Sequence, residues 1–116
     1  MYKRLQPILN VRNIADEIRF YVHLGFKVAY QVEGFAALAA GEQIFFGLMA
    51  AEQSDPAAFE KQMYWQFNVD SIRDLARHCE QEGISIETPI TLQAWGEWML
   101  ALRSPGGYRV VFEGQE

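Results

Sequence analysis

Cysteine is almost missing from this sequence: Cys79 stands alone among 116 residues, so no disulfide can form within the chain, and that usage suits a reducing compartment. Histidine is scarce as well. His23 and His78 have no companion at metal-ligand spacing and read as surface or helix-end residues. There is no glycine-rich phosphate loop, no Ser-His-Asp arrangement and no CxxC, which removes the commonest motif-borne chemistries. No apolar run is long enough to cross a bilayer, and the opening MYKRLQPILN lacks the apolar stretch of a signal peptide, so the cytoplasm is the expected location. Basic clusters are absent too. A formal net charge of -5 argues against nucleic acid or an anionic membrane as partner. Proline, glycine and serine are not enriched while half the residues are apolar, which favours a folded protein over a disordered one. A chain of this length can bury about two thirds of its unfolded surface.

What the chain does have is a repeat. Residues 10–28 read NVRNIADEIRFYVHLGFKV and residues 68–86 read NVDSIRDLARHCEQEGISI. A gapless shift of 58 positions pairs Asn10 with Asn68, Val11 with Val69, Ile14 with Ile72, Asp16 with Asp74, Arg19 with Arg77 and Gly25 with Gly83. Chance would give roughly one identity over such a window. Each copy predicts the end of a strand, a helix cap, an amphipathic helix, a glycine stop and a second strand. In the first copy a strand over Arg4–Val11 leads to a helix capped by Asn13, with Ile14, Ile18, Tyr21 and Val22 on one stripe and a stop at Gly25. Strands near Phe26–Val32, Phe35–Ala40 and Gln43–Met49 complete a βαβββ module. Residues 51–61, with Asp55-Pro56 placed to start a short helix, read as a linker. The second copy has a strand from Met63, a helix capped by Ser71 or Asp70 and stopped at Gly83, a strand over Ile84–Leu92, and a hairpin of Glu97–Leu102 with Tyr108–Glu113.

The doubled module, the NVRNIADEIRFYVHLGFKV opening, and Trp95-Gly96 followed by Leu100, Leu102, Ser104-Pro105, Gly107 and Val110-Val111-Phe112 resemble the vicinal oxygen chelate superfamily. That superfamily includes glyoxalase I, extradiol dioxygenases, fosfomycin-resistance enzymes and bleomycin-resistance proteins. The resemblance implies an α+β domain spanning residues 1–116, built of modules at about 1–50 and 62–116 whose curved mixed sheets surround a cavity, with the helices outside. Pro7, Leu9, Val11, Ile44, Phe46, Trp65, Phe67, Val69, Val110 and Phe112 should then face the helices. It also implies a homodimer, often with strands exchanged.

Metal enzymes of that superfamily hold a divalent ion with two side chains from each module, one from its first strand and one from its last. Counting back from Val11 and Val69 places the first-strand positions at Gln6 and Tyr64. Matching Ile44-Phe45-Phe46 with Val110-Val111-Phe112 places the others at Phe45 and Val111. Small shifts of register reach Ile44, Phe46 and Val110, or Gly47 and Phe112, which also lack ligands. Divalent ions want imidazole, carboxylate or a comparable donor, so no metal and no other cofactor is expected.

Glu113 shares the parity of Val111 and so faces the same cavity, unless the strand frays and turns it to water. Arg109 has this parity too, roughly 13 Å along the strand. Gln6, Asn10, Tyr64, Gln66 and Asn68 form a polar face, joined by Phe45, Met49 and Trp98. Trp95 and Gly96 either shape one end of the cavity or serve packing and backbone needs. Cys79 falls on an apolar helix stripe and reads as a buried structural thiol. The expected ligand contacts are Gln6, Phe45, Tyr64, Gln66, Trp95, Trp98, Arg109, Val111 and Glu113; the catalytic residues are unknown. Two functions stay open. One is a metal-free binder of the bleomycin-resistance type that sequesters a cationic or aromatic drug or metabolite. The other is a glyoxalase-like lyase or isomerase, or a dioxygenase, with a non-standard site.

Overall fold

The computed structural model describes residues 1–116. In chain order its elements are β1 (Ile8–Val11), α1 (Ile14–His23), β2 (Lys27–Val32), β3 (Phe35–Ala40), β4 (Ile44–Ala50), α2 (Pro56–Gln62), β5 (Trp65–Ser71), α3 (Ile72–Glu82), β6 (Thr88–Leu92), β7 (Trp98–Arg103) and β8 (Arg109–Gln115). The repeated residues explain the repeated helices. Asn13 and Ser71 are the caps, each accepting a hydrogen bond from the backbone N–H three residues on, at Asp16 (3.1 Å) and Asp74 (3.2 Å). Such caps contribute about 1 kcal/mol each. The identities at Asp16, Asp74, Arg19 and Arg77 form the same ion pair twice, 2.8 Å in α1 and 3.1 Å in α3. Ser71 also donates to the backbone oxygen of Glu116, which ties the last strand to the start of α3.

Two compact units result, Met1–Ser54 and Asp55–Glu116. The sheet of the first runs β1-β4-β3-β2 and that of the second β5-β8-β7-β6. In each, the first strand lies parallel to the last and the other pairings are antiparallel, so both sheets are mixed and neither closes on itself. The expected α+β architecture of two βαβββ modules is the observed one.

Helix α1 packs on the face carrying Leu9, Val11, Ala36, Leu38, Phe46 and Leu48, all buried. Tyr21 meets the rings of Phe46 and Phe26 edge-on at 5.0 and 5.5 Å. In the second unit Leu100, Leu102, Val110 and Phe112 are buried together with Ile72 and Cys79 of α3. Of the ten residues expected to face helices, Leu9, Val11, Phe46, Val110 and Phe112 are buried; Pro7, Ile44, Trp65, Phe67 and Val69 are half-buried, and none is exposed.

Several boundaries differ from expectation. Strand β1 begins at Ile8 rather than Arg4, because Pro7 has no N–H for a ladder; its carbonyl accepts from Gly47 instead. Strand β6 begins at Thr88 rather than Ile84. Within residues 51–61, helix α2 starts at Pro56 behind the Asp55 cap. Its Phe59 meets Trp65 and Tyr108 edge-on, so this segment completes the core of the second unit.

Cys79 is buried, and burial pushes its thiol pKa up. A thiol that stays neutral when folded but ionises near its ordinary pKa when unfolded lends stability below that pKa, and the contribution is lost as pH rises toward the raised value. Iodoacetamide at pH 8 should therefore modify Cys79 only as fast as the chain opens. Rapid alkylation of the native protein would contradict the buried placement.

Candidate functional site

Each sheet has one face against its helix and one open face, and strand parity decides which residues lie on the open one. In the second unit Gln66 pairs with Val111 and Asn68 with Glu113, while Ala101 and Met99 pair with the same two residues from the other side. Gln66, Asn68, Met99, Ala101, Arg109, Val111 and Glu113 therefore share the open face, and Tyr64, just before β5, is exposed. Gln66 donates through Nε2 to Asn68 Oδ1 at 3.1 Å. The indole Nε1–H of Trp95 donates to Glu113 Oε1 at 2.8 Å. Trp95 sits in the tight turn between β6 and β7, closed by Gln93 N–H to the Glu97 carbonyl at 2.8 Å, where Gly96 takes a positive φ of 93°. A residue with a Cβ rarely adopts that conformation.

Trp98 is placed differently from expectation. It pairs with Gly114 and shares the helix-side face with Leu100 and Leu102, opposite Glu113. The aromatic partner of Glu113 is Trp95.

The charges of the open face are unequal in company. Arg103 holds both Glu87 oxygens at 3.0 Å, Glu60 at 2.6 Å and the Gly107 carbonyl at 3.0 Å, and Glu87, then Glu60, raise its pKa. Arg109 reaches Glu87 at 3.9 Å and Thr88 Oγ1 at 3.5 Å. Arg109 is thus tied back by an acid that sequence reasoning did not connect to it. Half-buried Glu113 has no basic partner within ion-pair distance, and the indole is its hydrogen-bond donor.

On the open face of the first unit, Asn10 pairs with Met49 and Ile8 with Gly47. Arg4 lays its guanidinium 3.8 Å above the ring of Phe45, and Gln6, two residues before β1, is half-buried. Ile8, Tyr30, Val32 and Met49 are all exposed there, giving an apolar face. A Cβ at Gly47 would lie 2.9 Å from two atoms of the Phe35 ring, so that ring already covers the position.

The ladders also correct the match between the last strands. Ile8 pairs with Gly47, and Gln66, the repeat equivalent of Ile8, pairs with Val111. Gly47, not Phe45, is therefore the counterpart of Val111. Phe45 matches Arg109, and Met49 matches Glu113. A slip of two residues preserves strand parity, so inward and outward alternation cannot detect it.

A family model described as Glyoxalase/Bleomycin resistance protein/Dioxygenase superfamily matches residues 4–112. The chain belongs to this superfamily. Solved structures carry the same fold. A bleomycin-binding protein complexed with bleomycin is 25% identical, with a TM-score of 0.77 over 99% of this chain and 100% of that one. A bleomycin resistance determinant encoded on the transposon Tn5 is 24% identical, with a TM-score of 0.75 over 99% of each chain. A lactoylglutathione lyase from Agrobacterium tumefaciens is 16% identical, with a TM-score of 0.76 over 97% of this chain and 92% of that one. No curated protein matches the chain.

The superfamily's metal enzymes set a test for these residues. With the register corrected, the four positions hold Gln6, Gly47, Tyr64 and Val111. Glycine and valine offer no donor, a neutral phenol is a poor one, and a ring fills the space at Gly47. Nowhere in the structure do three His, Cys, Asp or Glu side chains gather as an ion would require. The residues present do not fit a divalent metal at these positions.

Proposed function

We propose that this protein is a metal-free small-molecule binder of the glyoxalase/bleomycin-resistance type that takes a cationic or amine-bearing aromatic ligand, acting as a cytoplasmic homodimer. The observation that carries the reading is Glu113, a half-buried carboxylate on an open sheet face that no cation of the chain neutralises, hydrogen-bonded to an exposed indole. A carboxylate beside an aromatic face attracts an organic cation through charge pairing and cation–π contact, each worth about 1 kcal/mol when partly desolvated. Tyr64 and Gln66, both exposed, are proposed as the surrounding contacts, with Arg109 withdrawn toward Glu87; Val111, an expected contact, is buried between its ladder neighbours and is not among them. On the first unit Gln6 and Phe45 are candidate contacts of the same kind, and Arg4 over Phe45 is a cation in the posture proposed for a ligand. The donor-poor set at Gln6, Gly47, Tyr64 and Val111 weighs against lyase or dioxygenase chemistry through a metal. The homodimer rests on open sheet edges and on the exposed Ile8, Tyr30, Val32 and Met49, all of which favour cover by another chain.

A thermal-shift screen tests the proposal, because a ligand that binds only the folded state adds about 2.7 kcal/mol at a hundredfold excess over its dissociation constant. Glycopeptide drugs, intercalating amines and cationic dyes should raise the midpoint, and Glu113→Gln should abolish the shift without loss of fold. Glutathione adducts, catechols and fosfomycin should leave it unchanged, as should zinc, nickel, manganese and iron(II). One-to-one metal binding with methylglyoxal or catechol turnover would overturn the reading. So would hits confined to anions and lost in Arg109→Gln. Sedimentation equilibrium at micromolar protein should give the mass of a dimer.

A further inference from the structure

Strand β8 raises two charges of opposite sign from its open face. Arg109 pairs with Arg103 of β7 and Glu113 with Met99, so both side chains leave the same face, four residues and roughly 13 Å apart. The row between them carries no charge: Val111 on β8 itself, Gln66 on one flank and Ala101 on the other. Arg109 is held more loosely than its neighbour. Arg103 takes both Glu87 oxygens at 3.0 Å and Glu60 at 2.6 Å, whereas Arg109 stands 3.9 Å from Glu87 Oε2, beyond hydrogen-bond distance, and 3.5 Å from Thr88 Oγ1, too long for a strong bond. A guanidinium has five N–H donors, so most of those on Arg109 have no protein acceptor, and its side chain keeps 27% of its surface exposed.

Side chains stand roughly perpendicular to a sheet, so the two charges are separated by about the spacing of their Cα atoms. Subtracting a charge-assisted contact of about 2.8 Å at each end leaves roughly 7 Å, the span between substituents across one para-substituted ring. We propose that the open face of the second unit recognises a zwitterion: an aromatic amine whose ammonium meets Glu113 and whose opposite end carries a carboxylate or similar anion for Arg109. The inference rests on the cation-binding reading above and adds the second half of the ligand to it. An α-amino acid, with both charges on one carbon, is too short to bridge the pair.

4-(Aminomethyl)benzoate and its methyl ester share ring and ammonium and differ in the far charge. Calorimetry on the full-length protein should show the acid binding about tenfold more tightly than the ester, the worth of one partly exposed charge-assisted contact. Arg109→Gln should bring that ratio to one by weakening the acid alone, and the unchanged ester affinity would show that the site is intact. Arg109→Lys keeps the charge without the planar fork and should restore part of the ratio. Glu113→Gln should weaken both probes. A ratio near one in the wild type, or one that survives Arg109→Gln, with both probes still dependent on Glu113, overturns the zwitterion alone. An ester that does not bind the wild type, or either probe indifferent to Glu113→Gln, overturns the cation site and this inference with it.

Discussion

Alanine at position 114 is expected to destabilise the protein by about 3 kcal/mol, the upper part of the range for overpacking a well-filled interior. Gly114 is buried in β8 with an ordinary backbone conformation, so its glycine is not there for a left-handed φ. It is there for proximity. A Cβ at 114 would stand 2.1 Å from the backbone oxygen of Val69 and 3.0 Å from its carbonyl carbon. A rotating side chain could yield, but a strand backbone can yield only if the β5–β8 ladder opens. The ladder already shifts register between Val69 and Ser71, next to this contact. Folded domains hold roughly 5–15 kcal/mol in all, so the loss would be a large share of the total. Urea unfolding followed by circular dichroism measures it, and a loss below about 1 kcal/mol would mean that β5 moves aside freely. Because Asn68 and Glu113 are neighbours of the strained pair, the variant should also lose ligand at temperatures where it remains folded.

Most of the fold could be read from local chemistry. The two caps, the acid-to-arginine pairs in α1 and α3, and the alternation that puts Phe46 and Phe112 toward helices all involve residues close in sequence. The site was less legible, because each of its decisive features depends on pairings between distant segments. Phe45 and Gly47 have the same parity, so only the ladder to Ile8 identifies the counterpart of Val111. Trp98 and Trp95 differ in which reaches Glu113 because the β6–β7 turn sets where β7 begins and which way its first residue points. The partnership of Arg109 with Glu87 crosses between segments 22 residues apart, and no periodicity announces it. Asp55-Pro56 signalled a helix start, yet that Phe59 would pack on Trp65 and Tyr108 is a tertiary fact.

Adjacent phenylalanines in β4 offer the sharpest test of which face is core and which is open. Phe46 is 2% exposed and lies 5.0 Å from Tyr21 and 5.7 Å from Phe26, ring to ring, under α1. Truncating it removes the hub of that cluster and leaves a cavity the neighbouring rings cannot all close. Phe46→Ala should cost about 4 kcal/mol. Phe45 points to the other face, half-buried, where the Arg4 guanidinium lies 3.8 Å over its ring. Exposed cation–π contacts are worth about 0.5–1 kcal/mol, so Phe45→Ala should cost little more than that. The two variants should therefore separate widely in urea midpoint at an unchanged slope. Comparable losses would mean that the open face of the first unit is packed core, and it would then have no surface to offer a ligand or a second chain. A small loss at Phe45 leaves that ring free to serve recognition, because a residue on which stability depends weakly can be shaped by what it binds.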